Sequence, residues 1–407
     1  MQALLGEEVP GLARRDSDSS VKILDIFGST GSVGQSGLEI VGAFPDRFEL
    51  NALVAGSNCQ QLIEQAREFR PKILALRDLN LADQLKEAVS SLDYKPQLLF
   101  GEDQINTLAK ESPAHIQLAA ISGMAGLSSV LAALRSGKRV ALANKESIVV
   151  GSELLADAIK RGKGEIIPVD SEHSALFQCL IGRPLSSIRS LVLTCSGGPF
   201  LRSTPAELSN VTPELACAHP RWNMGRKISV DSSTLMNKAL EMIEAARLFG
   251  VGLDDIQVVI HPQSIVHSLV EFCDGSLLAQ LSSPDMKSPV AFALEYPGVA
   301  SKQVVQPMDF QNKFALSFEP PDESRFGALK LARQAIATGV GACFALNLAN
   351  EIAVEAFLNN KLQYLQIVPF CEQAIEQFSD SKFSNEIELV ELSQQVSVEL
   401  EEMVRIL

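Results

Sequence analysis

"VKILDIFGSTGSVGQSGLEIV", residues 21–41, decides the fold. A strand-like run over 21–27 opens it. Gly28, Gly31 and Gly34 follow, and Leu38, Ile40 and Val41 then fall at helical spacing. Strand, glycine turn and helix form the opening unit of a doubly wound α/β fold. There the glycines let the backbone approach a pyrophosphate seated on the helix N-terminus. The spacing is G-x-x-G-x-x-G rather than G-x-G-x-x-G, so a tight turn without a ligand is the competing reading.

Working outward, a second strand-like run over 48–54 leads to Gly56, Ser57 and Asn58. Dinucleotide folds that take NAD place an acid near here, on the ribose hydroxyl. No acid is present, and a carboxylate would repel a 2′-phosphate, so the turn favours NADP. No Arg or Lys stands in the turn itself. Further strand-like runs cover 72–76, 116–120 and 140–143, the last leading to Asn144, Lys145 and Glu146. Ligands of open α/β sheets bind at strand carboxyl ends. A lysine at the positive end of a helix is electrostatically unfavourable, which argues for a function at Lys145.

"IPVDSEHSALF", residues 166–176, gathers Asp170, Ser171, Glu172 and His173 after an apolar run. On an extended chain Asp170 and Glu172 share a face, and paired anions repel unless a cation or a proton lies between them. A solvated strand-to-helix turn with Asp or Ser as N-cap is the alternative. "TCSGGPF" then sets Ser196 between a strand over 190–194 and two glycines, a loop suited to an oxyanion. "KISVDSSTLMNKALEMIEAARLFG" predicts a short strand leading to a long helix, with Ser232 and Ser233 near its start. Asn237, Lys238 and Glu241 fall on one face of that helix and Met236, Leu240 and Ile243 on another. One charge with several neutral donors suits a phosphate, and a surface Lys–Glu pair is the competing reading. In "ACAHPRWNMGRK" the single tryptophan, Trp222, follows His219 and precedes Gly225, as a core plug or as a lid over a ligand.

Composition narrows the function classes. The 407 residues imply two or three domains. A net charge of -14 argues against nucleic-acid binding by bulk charge. Seven scattered cysteines without a C-x-x-C pair suit free thiols in a reducing compartment, hence a cytoplasmic location. No uninterrupted apolar stretch reaches the roughly 20 residues of a membrane span. Residues 1–20 mix Glu, Asp and Arg without an apolar centre, so a frayed polar tail is expected rather than a targeting signal.

Taken together, GSTGSVG, NKES, VDSEHSALFQ, SGGPF, HPRWNMGRK, SSTLMNKALEMIEA and HPQSIVHS resemble the 1-deoxy-D-xylulose 5-phosphate reductoisomerases, from about residue 22 to the C-terminus. The resemblance implies an NADPH- and metal-dependent enzyme of isoprenoid biosynthesis. It would rearrange 1-deoxy-D-xylulose 5-phosphate, by retro-aldol cleavage and re-addition, and reduce the product to 2-C-methyl-D-erythritol 4-phosphate. Thr30, Gly31, Ser32 and Val33 would hold the cofactor pyrophosphate, with Gly56, Ser57 and Asn58 near the adenosine. Asn144, Glu146 and Gly225 would line the cofactor. Asp170, Glu172 and Glu241 would ligate one Mg²⁺ or Mn²⁺. Lys145 and Ser171 would touch substrate oxygens, and Ser196, Ser232, Asn237 and Lys238 its phosphate. His219 and Trp222 would belong to the closing loop. The family often has a basic residue at the position of Ser57, where this chain departs from it.

The implied architecture is a Rossmann-like NADPH-binding domain (21–170), a central α/β catalytic and metal-binding domain with a mobile lid (171–295), a linker (296–321) and a small helical domain (322–407). A homodimer follows from the resemblance, without nucleic-acid or membrane partners. "IQVVIHPQSIVHSLVEF", residues 256–272, is expected as one strand carrying His261 and His267, which read either as site residues or as core or dimer-face histidines. Two rivals stand beside this reading: an NADP-dependent dehydrogenase of another phosphorylated substrate, and a non-catalytic NADPH sensor. Neither gives a reason for three separated carboxylates.

Overall fold

A computed structural model describes residues 3–12, 20–219, 222 and 224–406 of the chain. Its largest sheet has seven strands, all parallel. Their spatial order is Gln97–Phe100, Ile73–Leu76, Phe48–Ala55, Lys22–Phe27, Ile116–Ala119, Arg139–Leu142 and Glu165–Pro168. The first strand of this sheet in the chain lies at its centre, so the order reverses beside it and opens a crevice at the carboxyl ends. Near-continuous burial of Leu24, Ile26, Phe27, Leu53 and Val54 is what a parallel sheet covered on both faces requires.

The glycine turn is packed as its spacing predicts. Gly28 has φ 91°, and a Cβ there would lie 2.4 Å from the Ala120 carbonyl oxygen. A Cβ on Gly34 would lie 2.2 Å from the Gly28 oxygen, so the helix Ser32–Ala43 approaches its own turn only without a side chain.

A second sheet of four strands has the order Ile256–Ile260, Ile188–Cys195, Val266–Phe272 and Leu277–Leu281. Its first pair is parallel and the other two are antiparallel. The helices Ser171–Leu180 and Met236–Phe249 pack on it, and the latter also packs on Lys145–Gly162. The helices Ala328–Thr338, Val340–Leu358, Ile367–Phe378 and Glu386–Ile406 form the C-terminal part. Val340–Leu358 is long and apolar enough to cross a membrane by length and composition, yet 78% of it is buried among its neighbours.

Four expectations are corrected. Asp170 and Glu172 do not share a strand face: the strand ends at Pro168, Asp170 is the N-cap residue and Glu172 lies in the first helical turn. The run over 227–231 is helix, Arg226–Ser233, not strand. Its Ile228 and Val230 suggest a strand, but Lys227 and Asp231 pair at i,i+4, and a left-handed Leu235 (φ 61°) separates it from the next helix. The run over 256–272 is two strands, divided at Ser264 (φ 52°). Part of the expected tail is packed: Glu8–Val9 pairs antiparallel with Arg183–Pro184, Val9 is buried, and the Tyr296 hydroxyl donates to the Pro10 carbonyl (2.8 Å). Residues 1–2 and 13–19 of that tail lie outside the described residues, as do Pro220, Arg221 and Asn223 of the tryptophan loop.

Candidate active site

The carboxyl end of the large sheet delivers one wall of the site. Asn144 follows the strand Arg139–Leu142 and caps the helix Lys145–Gly162, its Oδ1 accepting from the Ser147 amide (2.8 Å). Its Nδ2 donates to the Ile121 and Gly123 carbonyls (2.5 and 2.7 Å), tying two strand ends together. Lys145, the first helical residue, is thereby aimed inward and buried.

Across from it the helix Met236–Phe249 presents Asn237, Lys238 and Glu241 on one face, and Met236, Leu240 and Ile243 are buried in the core. The Lys145 ammonium donates to Asn237 Oδ1 (2.9 Å) and Glu241 Oε1 (3.1 Å), and it pairs with Asp170. Lys238 pairs with Glu172 (3.1 Å) and Glu241. Ser171 Oγ donates to Glu172 Oε2 (2.5 Å), and Asn237 Nδ2 to Glu241 Oε1 (2.5 Å). Oxygens of Asp170, Glu172 and Glu241 all lie within 4.8 Å of one another. Seven sequence-predicted residues therefore converge on one point.

The cluster is far from an ordinary solvated one. Burial, with Glu241 nearby, raises the Glu172 carboxyl to about 7 against the pull of Lys238. Burial works the same way on Asp170, but the Lys145 charge overrides it and holds that carboxyl well below the usual range. Burial disfavours the charged Lys145, yet Asp170 and Glu241 more than offset it and raise its pKa. Buried carboxylates in such a group select for positive charge, and three hard oxygen donors on two rigid helix starts suit a divalent cation.

A second group adjoins the first. Ser196 Oγ lies 2.9 Å from His219 Nε2, and the Trp222 amide donates to His219 Nδ1 (2.9 Å). Gly198 (φ 67°) lets this loop press against Ser232, where a Cβ would lie 2.8 Å from the Ser232 carbonyl oxygen. Trp222 stands edge-on to His267 at 6.2 Å and lines one small cavity with Ser171. Thr30, Gly31, Ser32 and Val33, with Gly56, Ser57 and Asn58, lie farther along the sheet end; Asn58 caps the helix Cys59–Phe69.

Several residues of this region escape the sequence reading. Lys227 pairs with Glu146 (3.1 Å) and Asp231 (2.8 Å), so the helix capped by Gly225 is tied to the start of the helix Lys145–Gly162. Asn350 of the C-terminal helices donates to Asp231 (2.8 Å). Glu244 Oε2 stands 3.4 Å from His173 Nδ1, both fully buried behind Asp170. The Lys227 to Asp231 spacing, i,i+4, was available but matches an ordinary surface pair, and Glu244 meets His173 only through tertiary packing. His261 is structural: its Nδ1 faces the Ser317 carbonyl (2.9 Å) and its Nε2 accepts from two amides (3.2 and 3.1 Å).

Comparison with known proteins decides among the readings. Residues 24–152 match the 1-deoxy-D-xylulose 5-phosphate reductoisomerase family, 166–249 its C-terminal domain, and 281–399 a further DXP reductoisomerase C-terminal domain. The chain belongs to the 1-deoxy-D-xylulose 5-phosphate reductoisomerase family. It is 47% identical to the reductoisomerase of Tolumonas auensis, over 85% of this chain and 89% of that one. With that of Bordetella avium it shares 44% identity over 88% and 92%. A crystal structure of DOX-P reductoisomerase with NADPH, fosmidomycin and magnesium superimposes with a TM-score of 0.90 at 40% identity, covering 95% of this chain and 98% of that one. The Zymomonas mobilis reductoisomerase in complex with NADPH gives 0.87 at 38%, covering 95% and 100%.

Proposed function

We propose that this chain rearranges and reduces 1-deoxy-D-xylulose 5-phosphate to 2-C-methyl-D-erythritol 4-phosphate with NADPH and one Mg²⁺ or Mn²⁺, for isoprenoid precursor synthesis. The convergence of Asp170, Glu172 and Glu241 carries this reading. A divalent cation held by these three supplies Lewis acidity toward the carbonyl and hydroxyl oxygens of a ketose, and NADPH supplies hydride.

The chain's own residues do the rest. Lys145 and Ser171 reach the substrate oxygens beside the carboxylates, where a buried ammonium stabilises developing negative charge. Lys238, Asn237, Ser196 and Ser232 bind the phosphate, with charge from Lys238 and orientation from the neutral donors. His219 joins Ser196 to the loop carrying Trp222, so that loop closes on the occupied phosphate site and excludes water. Thr30, Gly31, Ser32 and Val33 seat the pyrophosphate, Gly56, Ser57 and Asn58 lie by the adenosine, and Asn144, Glu146 and Gly225 line the nicotinamide side.

The assembly is a cytoplasmic homodimer, joined through the second sheet. Its edge strand Leu277–Leu281 leaves Leu277, Leu278 and Leu281 exposed, an unpaired apolar edge of the kind proteins normally cover.

Glu241→Gln tests the site. Three carboxylates face two ammonium groups here, and removing one charge leaves two against two, so the fold and NADPH binding persist. Turnover falls by about 10³ or more, corresponding to roughly 4 kcal/mol of lost transition-state stabilisation. Wild-type kcat/KM in this variant would remove Glu241 from the site.

A further inference from the structure

The turn at Gly56, Ser57 and Asn58 holds no cation in sequence, yet the sheet brings one to it. Ala55, the last residue of its strand, pairs with Leu76 of the neighbouring parallel strand. The two chains stay together past their strand ends: the Arg77 amide donates to the Ala55 carbonyl (3.0 Å) and the Asp78 amide to the Gly56 carbonyl (3.0 Å). Parallel neighbours lie about 4.8 Å apart, so Arg77 starts one strand spacing from the turn.

Arg77 is exposed, and its guanidinium makes no ion pair or side-chain hydrogen bond among the described residues. The adjacent acid is engaged elsewhere. Asp78 Oδ1 accepts from the Asn80 amide (3.0 Å) and side chain (3.1 Å), capping the short helix Leu79–Leu81. In the turn, Asn58 spends its side-chain oxygen on the Gln61 amide (3.1 Å), while Ser57 is exposed. An arginine near the end of this strand is the feature that distinguishes a 2′-phosphate from a 2′-hydroxyl, because its fork of donors matches phosphate oxygens.

We infer that Arg77, supplied by the neighbouring strand, recognises the cofactor 2′-phosphate together with the Ser57 hydroxyl and sets the preference for NADPH over NADH. The inference rests on the proposed NADPH reading of this crevice and adds the residue that enforces it.

The test compares the full-length protein with Arg77→Gln, Arg77→Lys and Ser57→Ala. KM is measured for NADPH and for NADH with 1-deoxy-D-xylulose 5-phosphate and Mg²⁺, and Kd for each nucleotide and for 2′-AMP is read from Trp222 emission. Arg77→Gln raises the NADPH KM and the 2′-AMP Kd about tenfold or more, as expected for a lost charge-assisted contact. It leaves the NADH values within about twofold, and Arg77→Lys restores part of the loss. A purely structural role would move both nucleotides together. An unchanged NADPH-to-NADH ratio in Arg77→Gln, or the whole effect appearing in Ser57→Ala alone, would overturn the inference. If the wild type bound both nucleotides but oxidised neither, the functional reading would fall, and the Kd comparison would still decide the role of Arg77.

Discussion

Single residues here hold ionisation states that water would not allow. Glu172, raised to about 7 by burial and Glu241, sits two residues from Asp170, which Lys145 holds low despite its burial. Environments that drive two neighbouring carboxyls apart mark a site under functional constraint. The histidines behave differently. Burial lowers His267 to about 4, and its Nε2 is occupied by the Ser282 hydroxyl at 2.9 Å. Its unfolded value is about 6.5, so between roughly pH 6.5 and 4 the unfolded chain binds a proton that the folded chain refuses. Its contribution to stability is complete above that window and is lost as pH falls through it. The thermal midpoint of His267→Asn, followed from pH 7 to 4, will therefore fall less steeply than that of the wild type. Parallel profiles would mean that this ring is not held neutral by the fold.

At the scale of elements, the glycine turn and the helix after it are one unit. Gly34→Ala would force a Cβ to within 2.2 Å of the Gly28 oxygen and 2.6 Å of the Ser29 Cα, both rigid backbone. The turn must open, at a cost of about 1–3 kcal/mol. NADPH titrated against Trp222 emission should show affinity down at least about tenfold, and wild-type affinity would mean that the turn does not seat the cofactor. This element was legible because its glycines are dictated by local sterics. The convergence of Lys145, Asp170 and Glu241 was legible only through the family motifs, because residues 25 and 71 positions apart meet through tertiary packing alone. The helix Arg226–Ser233 was misread because β-branched residues suggest a strand while the i,i+4 pair that favours helix looks ordinary. Arg77 was invisible for another reason: its place beside Ser57 exists only in the register of two parallel strands.

At the scale of the molecule, the two sheets and the C-terminal helices meet around one crevice. The helix Val340–Leu358 packs on Lys145–Gly162 and Arg226–Ser233, and its Asn350 reaches Asp231. The open edge Leu277–Leu281 predicts an assembly of two copies. Sedimentation should give a dimer, and Leu277→Glu with Leu281→Glu should give a monomer; an unaltered dimer would place the interface elsewhere. The decisive question is whether Asp170, Glu172 and Glu241 hold a catalytic cation. It is tested most directly by NADPH oxidation with 1-deoxy-D-xylulose 5-phosphate and Mg²⁺, with and without EDTA, and with the product identified. Oxidation should stop on chelation, return with added Mg²⁺ or Mn²⁺, and yield 2-C-methyl-D-erythritol 4-phosphate. Turnover that persists at full rate in EDTA would contradict it.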